Sequence, residues 1–256
     1  MNEVNYNKNL YKNYHCSRAM LKKTECLWME TISKYFKPKD STSIIIDIGC
    51  GTGRFSKVLA NSIDVQVVGV EPADKMRMIA EKENSHPKVQ YLKGSSEYIP
   101  LEDNSCDAIW CSMTIHHWVN LDKSIQEIDR VIKPNGNVFI RNSFSGRLDG
   151  IPFYHFFPLA IDIDNKRMPS LETIQFAFKS KDFLFIDFKE IKQLVSENLS
   201  DYAIRMRKRG ISSFDLMSEK EIETGMKRIE DAINQEESPQ PVIEKIGFLV
   251  FTKNDK

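Results

Sequence analysis

The chain has 256 residues, 41% hydrophobic and 28% charged, long enough to bury a substantial core in one large domain or a compact domain with an elaboration. Thirty-six Lys and Arg balance 36 Asp and Glu, which removes the global electrostatic drive toward nucleic acid or an anionic membrane. No run of about 18 apolar residues suggests a membrane span. The polar, aromatic start MNEVNYNKNLYKNYHCSR does not read as a secretory signal peptide. Five cysteines without a C-x-x-C pair argue against a disulfide framework or a structural zinc site, so a reducing cytoplasm is the expected setting.

Residues 1 to about 20 carry Tyr6, Tyr11, Tyr14 and His15 in a polar setting, and Ala19 to Tyr35 has amphipathic helical spacing. SIIIDIG is a short apolar run rich in β-branched residues, as expected of a strand buried on both faces of a parallel sheet. Three of the chain's 11 glycines follow at alternate positions, Gly49, Gly51 and Gly53, and RFSKVLANS then has helical spacing. VQVVGVEP reads as a second strand ending in the acid Glu71, DKMRMIAEKEN as a helix, KVQYLKGS as a third strand and CDAIWCSM as a fourth. LDKSIQEIDRVIK reads as a helix stopped by the turn signal Pro134-Asn135-Gly136, and NVFIRNSF as a fifth strand. Strands alternating with helices predict a doubly wound α/β sheet. After residue 145 the rhythm changes to an aromatic insertion with three prolines, then a helix over LETIQFAFKSKD and a strand over FLFIDFKEI. Two helical stretches near 190–209 and 217–235 precede a last strand over PVIEKIGFLVFTK.

A strand that leads through glycines into a helix presents backbone N–H groups and a positive helix end to a ligand. A dinucleotide site needs G-x-G-x-x-G, whereas Arg54 stands three after Gly51 and the third glycine comes one residue early. A Walker loop needs Lys-Ser/Thr after its glycines, and none is present.

IIIDIGCGTGRFS resembles motif I of the class I S-adenosylmethionine-dependent methyltransferases. Glu71 stands where that family places the acid that accepts both ribose hydroxyls. GSSEYIPLEDNSCDAIWCSMTIHHW, with Pro100 and Asp107, is similar to the third and fourth motifs, and RVIKPNGNVFI to the helix, turn and strand that follow. The match runs from about 43 to 144 in order and spacing; HHW and the aromatic insertion look most like the small-molecule branch, with ubiquinone-type and natural-product enzymes as relatives. The resemblance implies a Rossmann-like methyltransferase sheet of seven strands, the last antiparallel, with helical lid insertions. It divides the chain into an N-terminal lid or helical segment (1–40), a cofactor-binding core (41–145) and substrate-lid insertions plus the last two strands of the same sheet (146–256).

It also implies roles. Asp47 positions the cofactor's amino-acid end, or partners a helix N-terminus. Gly49, Cys50 and Gly51 run beneath the methionyl and ribose parts, and Glu71 with Pro72 closes the second strand on the ribose, where a carboxylate makes charge-assisted bonds a neutral residue cannot match. Met76 packs on the adenine or belongs to the core. Ser95 replaces the aspartate many relatives carry beside the adenine amino group, with Ser96 acting through its backbone. Cys111 and Ser112 offer main-chain groups to the methionyl amine.

His116 and His117 are candidates to accept a substrate proton or orient the substrate; the alternative is that one caps the next helix while the other packs on Trp118. A His-His pair without further ligands is weak support for a metal, and none is expected. Tyr6, Tyr11, Tyr14 and Arg18 resemble a lid that closes over the sulfonium, whose charge is attracted to aromatic faces; Tyr14 and Arg18 would meet the cofactor and Tyr11 the substrate. Trp118, Phe153 and Tyr154 either wall an apolar substrate pocket or form the insertion's core. RMRKRG, 205–210, is either a solvated helix face or a hold for a substrate carboxylate or phosphate.

The expected activity is methyl transfer from S-adenosylmethionine to an O, N or C atom of a small metabolite, by a monomer or homodimer. An adenine methyltransferase of nucleic acid would carry Asp/Asn-Pro-Pro-Tyr where CSMTIHHW stands, and a cytosine enzyme Pro-Cys. A non-catalytic cofactor-binding module and, more remotely, an NAD-linked oxidoreductase are the alternatives.

Overall fold

The computed structural model describes residues 20–255; Tyr6, Tyr11, Tyr14, His15 and Arg18 lie outside them. The five parallel strands β1 (Ile44–Ile48), β2 (Gln66–Val70), β3 (Val89–Leu92), β4 (Cys106–Ser112) and β5 (Ile132–Asn142) fall where the apolar runs predict them. β6 (Phe183–Ser196) and β7 (Val242–Lys253) complete a seven-stranded sheet of order β3-β2-β1-β4-β5-β7-β6. The last strand in sequence enters between β5 and β6 and is antiparallel to both.

Continuous apolar strands arise because both faces are covered. Alternate residues of β1 divide between two layers. Ile46 and Ile48 meet α4 (Leu121–Val131) and α7 (Leu171–Lys179) through Ile125, Ile128, Ile174 and Phe178. Ile45 faces α1 (Lys22–Ser33) and α2 (Arg54–Ile63), in a layer built on Trp28, Phe55, Trp110 and Phe248. A third helix, α3 (Asp74–Glu83), joins β2 to β3. The aromatic insertion forms two short helices, α5 (Pro152–Phe156) and α6 (Leu159–Arg167). With α8 (Leu199–Arg207) and α9 (Glu219–Gln235) it builds a separate core around Phe153, Phe156, Phe157, Met206, Phe214 and Ile229.

Two local readings need correction. Residues 190–196, expected in a helix, continue β6, because pairing with β7 runs on to Ser196 opposite Val242; the neighbouring strand overrides local helical spacing. The Pro134-Asn135-Gly136 turn is absorbed as an irregularity inside β5, with Asn135 at φ 63° and a register shift against β4 between Cys106 and Ala108.

Candidate functional site

The glycine segment is held from below by β2: the N–H groups of Gly49 and Cys50 both donate to the Val70 carbonyl, at 2.8 and 3.2 Å. Gly49 lies at φ +68°, and a Cβ there would overlap the Thr114 side chain. Gly53, at φ +74°, faces the Tyr91 ring instead. Tyr91 donates to the Asn84 carbonyl (2.9 Å), and the Asn84 amide donates to the Thr52 carbonyl (2.8 Å). The third glycine therefore makes room for a protein side chain as well as for the turn.

Two buried carboxylates flank this segment. Asp47 of β1 accepts from the Ser56 hydroxyl at 2.6 Å, and burial pushes its carboxyl up to about 7. Glu71 accepts the Gly51 N–H on Oε2 at 2.9 Å and the Ala73 N–H on Oε1 at 2.8 Å. Burial raises its pKa, and those two donors oppose the rise. Each Glu71 oxygen keeps a second lone pair beyond the one engaged by the backbone.

Around the carboxylates, Pro72 is exposed and Met76 is buried in α3. Ser95 accepts the Glu97 N–H, while the buried Ser96 hydroxyl meets Ser124 at 2.9 Å. Cys111 turns its thiol into the core between strands and helices, where burial drives its pKa far up. Its main chain pairs with Ile48 and Ile140. Ser112, one residue on, accepts from Arg141 at 3.2 Å.

Beyond the ends of β4 and β5 opens a cavity of about 1110 Å³ including its mouth. It begins at Arg54, Met113, His116, Arg141 and Ser143 and is roofed by Phe153, Tyr154 and Met168 of the insertion and Tyr202, Arg205 and Met206 of α8. Met113 stands at φ 54°, a conformation that side chains rarely adopt and that recurs at functional sites. The two histidines sit in one short 3₁₀ turn, Ile115–His117, with ring centroids 4.0 Å apart. His116 lines the cavity; His117 does not, and burial together with nearby Arg167 holds it down to about 4.

Of the expected pocket aromatics, Phe153 and Tyr154 line the cavity. Trp118 is not among the residues lining this cavity; it is partly buried against the core that the sheet shares with α4. The basic run is likewise not one patch. Arg205 faces the cavity, Arg207 pairs with Glu230 at 2.8 Å, and Arg209 grips Glu219 with both terminal nitrogens at 2.7 Å.

Sequence reasoning missed the polar wall of the cavity. Gln193 of β6 accepts from Trp28 Nε1 at 2.6 Å and from Arg141 Nη2 at 2.9 Å, and its own amide donates to Glu244. Asp164 accepts from Tyr154 (2.9 Å), Ser213 (2.6 Å) and Arg167 (3.0 Å). The one local signal was an arginine inside the apolar strand NVFIRN.

Sheet order, antiparallel last strand and a glycine segment flanked by buried acids define the fold of the class I S-adenosylmethionine-dependent methyltransferases. Comparison with known proteins agrees: residues 46–140 match the family model described as the methyltransferase domain. An uncharacterized methyltransferase-like protein of Schizosaccharomyces pombe is 36% identical over 99 residues, covering 39% of this chain and 38% of that one. A ubiquinone/menaquinone biosynthesis C-methyltransferase of Rubrivivax gelatinosus is 30% identical over 136 residues, 53% of each chain. The chain thus spans about two fifths to half the length of these curated relatives. The crystal structure of a methyltransferase assigned to an antibiotic biosynthesis pathway of Anabaena variabilis superposes with a TM-score of 0.69. It is 25% identical, and the match covers 89% of this chain and 97% of that one.

Among the described residues no group of three or more His, Cys, Asp or Glu could hold a metal ion, and no helix is long and apolar enough to cross a membrane.

Proposed function

We propose that the protein transfers a methyl group from S-adenosylmethionine to a small molecule bound in the cavity beyond β4 and β5. The carrying observation is Glu71: a buried carboxylate fixed by two backbone N–H groups, with one lone pair on each oxygen left for a pair of vicinal hydroxyls. Gly51, whose N–H supplies one of those bonds, lies in the left-handed region at φ 57°. These residues fit the cofactor, which when bound supplies an electrophilic methyl on a sulfonium. Asp47 fits too: a carboxyl close to half-ionised at neutral pH becomes an anion readily beside a cation.

Methyl transfer asks the protein chiefly for alignment and exclusion of water, with the acceptor about 3 Å from the methyl carbon. The roof of α5, α6 and α8 excludes water. His116, at the mouth of the cavity, is the proposed proton acceptor. His117, held neutral by burial, packs against it and orients the turn.

Calorimetric titration of S-adenosylhomocysteine into wild type and Glu71→Ala tests the reading. Binding in the wild type that weakens about ten- to a hundredfold in the variant, the worth of a charge-assisted contact, supports it. A wild type that binds no S-adenosylhomocysteine overturns it, and NAD is then the next titrant.

A further inference from the structure

We propose that the methyl acceptor carries a hydroxyl on an otherwise apolar body, and that the Tyr154 and Ser213 oxygens receive the proton of that hydroxyl. The inference rests on the methyltransferase reading above and adds the substrate class.

Tyr154 of α5, Asp164 of α6 and Ser213 of the 3₁₀ turn Ser212–Leu216 are buried, and all three line the cavity. Asp164 is ion-paired with Arg167 through Oδ1 at 3.0 Å, and Arg167 also donates to the Ser212 hydroxyl at 3.0 Å. A carboxylate held this way has no proton to give, so toward the two hydroxyls it is the acceptor. Tyr154 at 2.9 Å and Ser213 at 2.6 Å both donate to its Oδ2. Each hydroxyl has one proton, and Asp164 takes it. What Tyr154 and Ser213 keep for a ligand is therefore oxygen lone pairs. Among the described residues neither oxygen accepts a hydrogen bond. Burial and the neighbouring charges of Asp164 and Glu244 raise the pKa of the phenol, which keeps Tyr154 in its donating form toward Asp164.

This side of the cavity thus calls for a donor on the ligand. Asp164 already has its cation in Arg167, so the position asks for a proton and not for a positive charge. Sharing Oδ2, the two oxygens stand within two hydrogen-bond lengths of each other, and one hydroxyl can address either. Glu244, the other acid of the lining, adds no donor: its Oε1 accepts from the Gln193 amide. The surroundings suit an apolar body. Phe153 meets the Tyr154 ring edge-on at 5.4 Å, and Met168, Met206 and Ile246 also line the cavity. An ether or a hydrocarbon in this place leaves both acceptors without a donor, and a site built around a ligand hydroxyl discriminates against analogues that lack it.

The test titrates phenethyl alcohol, cinnamyl alcohol and para-cresol, each against its methyl ether, into protein saturated with S-adenosylhomocysteine. Phenethylamine and cinnamylamine serve as the cationic counterparts. At least one hydroxyl compound should bind about tenfold more tightly than its ether, the discrimination expected of one buried hydrogen bond. Tyr154→Phe and Ser213→Ala should each lower that preference, and the double variant should erase it. Asp164→Asn presents an amide N–H where the carboxylate accepted, frees a hydroxyl proton for the cavity, and should bring ethers level with alcohols. Alcohols and ethers binding alike to the wild type, no hydroxyl compound binding, or a preference that survives the double variant would overturn the inference. So would an amine that binds more tightly than its alcohol, since the site would then select a cation. S-adenosylhomocysteine affinity is measured first in every variant: retained, it shows a folded protein and leaves the ratio of alcohol to ether to report on the cavity alone. If the wild type fails to bind it, the cofactor reading falls, and the substrate reading with it, whatever the alcohols do.

Discussion

At Gly53 two demands meet in one residue: φ is +74°, and the Tyr91 ring lies where a Cβ would stand. Gly53→Ala should therefore destabilise by about 1–3 kcal/mol, combining left-handed backbone cost with displacement of the ring. Denaturant unfolding of Gly53→Ala in a Tyr91→Ala background separates the two, since only the steric share should be recovered there. Asp47 makes a prediction of another kind. Folded, it keeps its proton up to about pH 7; in an unfolded chain an aspartate loses it near pH 4. Between those values the folded state binds more protons. The stability this raised carboxyl contributes is thus fully present below about pH 4 and lost as pH rises to about 7. The slope approaches 1.4 kcal/mol per pH unit in that window. Glu71 is shifted in the same direction, so the Asp47 share is read by difference: Asp47→Asn should flatten the pH dependence of ligand-free unfolding, and an unchanged profile would refute the assignment.

Among the elements, α5, α6 and the 3₁₀ turn Ser212–Leu216 are tied by one carboxylate. Asp164 is 1% exposed and takes a hydroxyl from α5, a hydroxyl from the turn and a guanidinium from its own helix. Asp164→Ala leaves the partly buried Arg167 without its carboxylate and two hydroxyls without their acceptor, and should cost about 3 kcal/mol. Because this cluster belongs to the insertion's own core, amide exchange should rise in α5, α6 and the turn while β1, β4 and β5 stay protected; uniform loss of protection would contradict a separate unit. None of this was legible in the chain, because Asp164, Ser213 and Arg167 meet only through tertiary folding and leave no periodic pattern. The sheet was legible for the opposite reason. SIIIDIG, VQVVGVEP and CDAIWCSM are apolar at most of the positions that two covered faces require, the buried Asp47 being an exception, and a glycine segment with an acid closing the next strand follows from local sequence alone. Gln193 falls between these cases: it lies in residues expected to be helical, and only its pairing across to Glu244 on β7 turns it toward Arg141.

Across the whole molecule, the sheet ends differently at its two edges. β3 is four residues long, too short to template another strand easily. β6 is fourteen residues long, and among the described residues β7 is its one strand partner. Near its start Leu184, Phe185 and Ile186 are exposed, and Phe176 of α7 is exposed as well. A long edge of this kind invites pairing between chains. Two features oppose that here: Asp187, Lys189, Glu190 and Lys192 carry charge along the strand, and Ile186 has no partner in the ladder, so the pairing is broken at a bulge between Phe185 and Asp187. Ile186 is therefore the position where a charge can be added without disturbing the bonds to β7. Ile186→Lys should change stability by no more than about 0.5 kcal/mol, as for other exposed sites, while reducing light scattering when concentrated protein is heated, because a lysine on an exposed edge disfavours strand addition. Scattering that is unchanged, with stability also unchanged, would mean that association starts elsewhere on the surface; lowered stability would mean that Ile186 packs more tightly in solution than its place at the bulge implies.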